Sequence, residues 1–426
     1  MEHSFSDKVK TFYFLAAAMP MYYFLSEVLN LGVFVTYRHV FALVLAASAM
    51  VSFLAKPNIA RGVTAVKAAL VYSVPLLVTL VASLFIWFVS QVETAVMARG
   101  LSGAFIYTNM LSFALAAAAF LYMFGEKGIW YNLTAMVAAN ILMIVIIIVQ
   151  NGLGNYLTEL ITLVKTFAAE TGDIIVQAEV HELAFCLGAY LIYMLLKPQK
   201  NKAIAVLFAL SVFCFLSAFK RIGIIAIIVA LFFGLLLKWI AKYSEKTAVR
   251  LMYFFTFLMI GLLLGYIGLI KSDAFSVLEQ LGIDTSGRAG VYNAVDKYYT
   301  FSPSFLGNGI GFLTYQLNSR LHVGVSAVHN DFLQYFIDLG FWGYLAWLVS
   351  MTLVRIRYFG SGGRTQDAVV TFSLLLYLII VSATDNTMNY PLLTMTLAIL
   401  MIGGSFNEKV RDTEIKLFGS VSAPNR

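Results

Sequence analysis

The chain has 426 residues, 61% hydrophobic and 12% charged, with a mean hydropathy of +0.84 and a formal net charge of +7. A soluble chain of this length carries about twice that share of charge, and apolar runs of roughly 20 residues recur, each long enough to cross a bilayer core. A soluble enzyme is therefore excluded; the basic residues gather between apolar runs, which argues against a nucleic-acid partner and predicts an all-α polytopic membrane protein, one integral membrane domain over 1–426.

In chain order, MEHSFSDKVK precedes an apolar stretch without a small-residue cleavage pattern, so the first span is read as uncleaved. Hydropathy places twelve spans at about 11–29, 37–55, 66–90, 102–124, 129–150, 181–196, 203–219, 222–240, 249–270, 332–354, 367–383 and 391–406. With the N-terminus in the cytoplasm, the cytoplasmic segments hold the majority of the 29 Lys and Arg residues, Arg355, Arg357 and Arg364 among them. The positive-inside rule then puts both termini in the cytoplasm. Two connections are long, and both fall on the outer side. Residues 151–180 carry Leu157, Leu160, Ile161, Val164 and Phe167 at helical spacing, as an amphipathic helix on the outer membrane face would. Residues 271–331 hold turn signals in TSG, SPS and GNG, yet keep aromatics such as Tyr292, Tyr298 and Phe305, and are expected to fold over the bundle. No internal repeat is visible, which removes the main sequence support for an inverted-repeat transporter. Cys186 and Cys214 each sit inside an apolar run, as small hydrophobes do.

Nine basic residues fall outside the cytoplasmic segments: Arg38, Arg99, Lys165, Lys220, Arg221, Lys271, Arg288, Lys297 and Arg320. Lys165 and Lys271 read as snorkelling or solvated. Lys220 and Arg221 form the polar content of a tight outer turn that Ser, Asn or Gly could have solvated without cations. Arg288 lies in TSGRAGVYNAV, where Ser286 is a plausible helix N-cap. A guanidinium is always charged and presents a planar fork that fits phosphate oxygens, so arginines on the outer side would suit a lipid-linked diphosphate and its departure as a leaving group. No metal is expected: the acid-x-acid pair Asp412-Thr-Glu414 lies in the cytoplasmic tail, and His39, His181 and His322 lack ligand spacing.

The stretch HNDFLQYFIDLGFWG opens a span with polar groups. Asn330, Gln334 and Asp338 recur every four residues and share a face that cannot point at lipid, so they read as a polar face lining a wet cavity. Gly340 and Gly343, further along, would let a neighbouring helix approach. In that setting the His329 imidazole could accept or orient a hydroxyl proton.

His329-Asn330, nine residues, then Gly340-Phe-Trp-Gly343 fits H[NSQ]-x9-G-x-x-G, a pattern of bacterial O-antigen ligases and related polysaccharide polymerases. "SGRAGVYNAVDKYYTFSPSFLGNGIGF" resembles that family's Gly-Arg helix with its Pro turn and following segment, and "LSAFKRIGIIAI" its outer arginine turn. The resemblance covers roughly 211–345. It implies a twelve-span GT-C-type fold in the bacterial inner membrane, and cofactor-free, metal-independent transfer of glycan from undecaprenyl diphosphate at the outer leaflet. Arg221 and Arg288, with Lys220 beside them, would engage the diphosphate, and His329 the acceptor hydroxyl. Implied partners are the lipid-linked glycan, an acceptor glycan or lipid A core, membrane lipids and a chain-length regulator. A polymerase of repeat units is favoured over a ligase to lipid A core. A lipid-linked glycan transporter is the reading from another class, and would call for cations along the spans.

Overall fold

Long apolar stretches fold here as helices because a bilayer offers no other partner for backbone N–H and C=O groups. The computed structural model describes residues 8–10, 34–90, 111–166, 181–218, 220–282, 287–319, 328–360 and 365–418, and every regular element among them is helical. Five helices are long and apolar enough to cross a membrane: Lys127–Asn151, Arg221–Ala241, Glu245–Lys271, Asp331–Phe359 and Thr365–Ser382. A sixth arises if the bent pair Ile59–Tyr72 and Val74–Ser90 is one span. Shorter apolar helices at Ala42–Ala55, Leu111–Phe124, Glu182–Leu196, Lys202–Ser217 and Pro391–Gly403 coincide with other expected spans. The expected span 11–29 and the first half of 102–124 lie outside the described residues. The expected span 66–90 differs in kind: its helix starts at Ile59 and stops at Tyr72. Pro75 explains the stop, since it lacks an N–H and disfavours helical geometry at the residue before it.

The chain forms two units. The first comprises residues 1–70, 112–235 and 391–426. In it, helix Lys127–Asn151 packs with His181–Leu196, Lys202–Ser217 and Pro391–Gly403. Buried Asn132 donates to the Tyr190 hydroxyl at 2.6 Å, and that hydroxyl donates to the Ile129 carbonyl at 3.0 Å. Cations close two helix ends: Arg61 donates to the Leu121 carbonyl at 3.2 Å and Lys197 to that of Gly404 at 2.7 Å, where the helix dipole is negative. Helix Leu153–Thr166 lies within the region expected to be amphipathic. It sets Tyr156 and Leu163 against Met143, Ile144 and Ile147 and leaves Leu157 and Ile161 exposed. Residues 167–180 lie outside the described residues.

The second unit comprises residues 71–111 and 236–390. Helices Val74–Ser90, Glu245–Lys271, Asp331–Val349 and Thr365–Ser382 form its body. The long connection folds as helices Ala274–Gln280, Arg288–Val295 and Phe312–Ser319. Lys271, expected to be solvated, instead bonds the Asp296 carboxylate at 2.7 Å and its carbonyl at 2.8 Å, with Tyr299 beneath the ammonium. Arg355, expected in a cytoplasmic loop, is 6% exposed and donates through Nε to the Tyr72 carbonyl at 3.1 Å. The Leu76 N–H, which a continuous helix would aim at that carbonyl, bonds Ser73 instead.

Helix Asp331–Val349 is broken at Gly340, whose φ is 69° and ψ −177°. The segment Phe305–Gly311 enters the break. Phe341 N–H donates to the Phe305 carbonyl at 2.9 Å, and Asn308 and Gly309 N–H donate to the Asp338 carbonyl at 3.1 and 2.7 Å. Side chains are excluded at the crossing: a Cβ on Gly307 would stand 2.4 Å from Gly340 N, and one on Gly340 2.2 Å from the Leu306 carbonyl carbon. Ile310 N–H donates to Ser83 Oγ at 2.9 Å, which fixes the same segment to helix Val74–Ser90.

Candidate functional site

The site is built on the start of helix Asp331–Val349. Asn330 caps that helix, its Oδ1 accepting from Leu333 N–H at 3.1 Å. Its Nδ2 donates to the hydroxyls of Tyr266 and Tyr292, both at 3.1 Å, and the Tyr266 hydroxyl donates to the Ala383 carbonyl at 3.1 Å. Asn330 is 0% exposed, so each of its polar atoms has a buried partner. His329, one residue earlier, takes the left-handed conformation with φ 52°. Its side chain stays 53% exposed while its neighbours are buried. Non-glycine residues held there cost about 1–3 kcal/mol and cluster at functional positions.

A second strand of chain meets the imidazole. The turn 383–390 follows helix Thr365–Ser382 and brings Asp385 Oδ1 to 3.7 Å from His329 Nδ1. The same oxygen accepts from the Asn386 N–H at 2.7 Å and the Tyr390 hydroxyl at 3.0 Å, which fixes the carboxylate. The His329 separation is beyond a direct hydrogen bond but of the order found in unliganded sites that tighten on substrate binding. Arg288, first residue of helix Arg288–Val295, donates through Nη2 to the Thr384 carbonyl at 3.1 Å. Its remaining donors are not committed by that bond, since a guanidinium carries five. Burial pushes the Tyr292 phenol above its ordinary range, against the opposing hydrogen bonds from Asn330 and Tyr266. It is a neutral support rather than a phenolate.

Other residues singled out from the sequence occupy different settings. Gln334 is half-buried, with Nε2 at 3.5 Å from Thr314 Oγ1. Asp338 is 1% exposed, and its oxygens accept from Gly311 N–H and Leu313 N–H, both at 3.1 Å. It caps the Phe312–Ser319 helix and does not line a wet cavity. Gly340 admits a loop through a broken helix rather than a neighbouring helix. Gly343 does face a helix, where an added Cβ would lie 3.4 Å from that of Ala82. Lys220 and Arg221 belong to the first unit, where Arg221 opens helix Arg221–Ala241. The residue before the Arg288 helix is Gly287; Ser286, Arg99, Arg320 and His322 lie outside the described residues. Among the described residues no group of three or more His, Cys, Asp or Glu could hold a metal ion.

Asp385, Tyr390 and Tyr266 were not found from the sequence. The available signal was Asp385 itself, an acid in the polar turn TDNTMNY between the last two spans.

The family model described as O-antigen ligase matches residues 183–348, which contain Lys220, Arg221, Arg288 and all of His329–Gly343 and end before Asp385. A search of curated proteins finds no match.

Proposed function

We propose, from the premise that residues 183–348 make this multi-pass membrane protein a member of the O-antigen ligase family, that it transfers glycan from undecaprenyl diphosphate to a sugar hydroxyl. In this reading His329 takes the hydroxyl proton, the oxygen attacks the anomeric carbon, and the bond from that carbon to the diphosphate breaks. Asp385 faces Nδ1 and so leaves Nε2 for the acceptor, and it stabilises the imidazolium once the proton has moved. Arg288 is the proposed partner of the departing diphosphate, its charge persisting at every working pH. Lys220 and Arg221 are proposed diphosphate ligands on their sequence pattern. The reaction is assigned to the outer leaflet of a bacterial inner membrane, with both termini cytoplasmic, on the distribution of basic residues. A twelve-span GT-C arrangement and a chain-length regulator as partner belong to the same proposal.

The observation that carries the reading is the exposed His329 held in a left-handed conformation beside the anchored Asp385. Replacing His329 with alanine and following surface glycan on gels tests it: glycan of parental length and amount would overturn it. Polymerisation of repeat units remains our preferred reaction. The description of the matching family favours the second reading, ligation to lipid A core. A strain lacking this protein separates them. Single repeats attached to lipid A core indicate a polymerase; long polymer left on the carrier indicates a ligase.

A further inference from the structure

Asp331 follows the capping Asn330 and is 0% exposed. An acid in the first turn of a helix is ordinary at a surface, where the dipole favours it; one fully removed from water is expensive unless it meets a specific need. Asp331 Oδ2 accepts from the Met388 N–H at 2.9 Å, whereas Oδ1 is buried with no hydrogen-bond partner. Met388 belongs to the short 3-10 turn Thr387–Asn389. Asp385 stands two residues before that turn, and immediately after it comes Tyr390, which donates to Asp385. Ser382 Oγ, on the last residue of the preceding helix, lies 2.6 Å from Thr387 Oγ1. One end of the assembly is therefore tied to the helix that carries His329, through the Asp331 carboxylate.

We infer that Asp331 is a positioning residue: by accepting the Met388 N–H it holds the 383–390 turn at the register that presents Asp385 to His329. The inference rests on the glycosyl-transfer reading of His329. It makes Asp331 act through geometry alone, without touching substrate. The need is for an acceptor rather than for a charge, so an amide oxygen serves in place of the carboxylate. A displacement of about 1 Å at a general base can lower rate about 100-fold, and loss of a supporting partner commonly costs about 10- to 100-fold.

The test uses the full chain in membranes, with lipid-linked glycan extracted from the host strain as substrate and initial rates taken over a range of its concentration. Asp331→Ala is expected to lower kcat about 10- to 100-fold with KM changed by less than about threefold, and Asp331→Asn to stay within about threefold of the parent. An Asp331→Ala variant at parental kcat, or an Asp331→Asn variant as impaired as Asp331→Ala, overturns the inference. So does failure of Asp331→Ala to accumulate in the membrane, which assigns the residue to folding. His329→Ala is the control: parental rates there would sink the reading of the site itself, whatever the Asp331 variants do.

Discussion

Two polar clusters sit on one apolar helix, at the start of Asp331–Val349 and at its break near Gly340. At the break, both Asp338 carboxylate oxygens and its carbonyl are taken, and Asn308 Nδ2 donates to the carbonyls of Tyr298 and Ile337. At the start, Asn330 is just as fully bonded, but beside it stands a half-exposed imidazole. The difference separates structure from chemistry. Buried polar groups whose bonding capacity is used up hold backbone together, whereas groups left reactive at the edge of such a cluster are available to a substrate.

Substitutions at the two clusters should therefore fail in opposite ways. The largest effect on rate is expected at His329→Ala, a loss of about 100- to 10,000-fold in transfer, the usual contribution of a general base. Detergent-solubilised protein should melt at the parental temperature. His329→Gly sharpens the contrast: glycine accepts a positive φ without strain, so this variant should be at least as thermally stable as the parent and equally inactive. A marked fall in its melting temperature would break the comparison. Gly340→Ala is the mirror case. The added methyl meets the Leu306 backbone at a positive φ, and membrane-inserted protein should fall sharply on immunoblots before any rate can be read. Asp338→Asn, next in size, keeps one acceptor and loses the other, at a cost of about 1–3 kcal/mol. It should lower the melting temperature while the protein that remains folded retains its kcat. The smallest effect belongs to Gln334→Ala, whose 3.5 Å contact with Thr314 predicts a change within about 0.5 kcal/mol. A large loss of stability there would show that the 3.5 Å distance understates the bond.

How much of this was legible in the sequence depends on the range over which the physics acts. Helix positions followed from apolar run length, which is local; among the described residues helices fall at the expected spans, except that 66–90 is broken between Tyr72 and Val74. The His329–Asn330 helix start followed from a polar dipeptide opening an apolar run. Periodicity placed Asn330, Gln334 and Asp338 on one face but could not say what that face meets. Asp338 meets backbone N–H groups of a segment some 25 residues earlier in the chain, a partner with no signature in spacing. Asp385 reaches His329 only because helix Thr365–Ser382 returns its far end to the same place, a fact of topology and not of local pattern. Lys271 and Arg355 were misjudged for a related reason. A cation at a span end reads as solvated until a carbonyl or carboxylate from elsewhere is seen to take it.

The crossing of Gly307 and Gly340 bears on how this protein could be re-engineered. Because each backbone occupies the space where the other's side chain would be, the 305–311 segment and the helix it enters behave as one transferable part. A chimera that imports the 305–311 segment from a relative would need to bring the matching stretch around Gly340 with it. A graft of either half alone should leave the helix break unfilled.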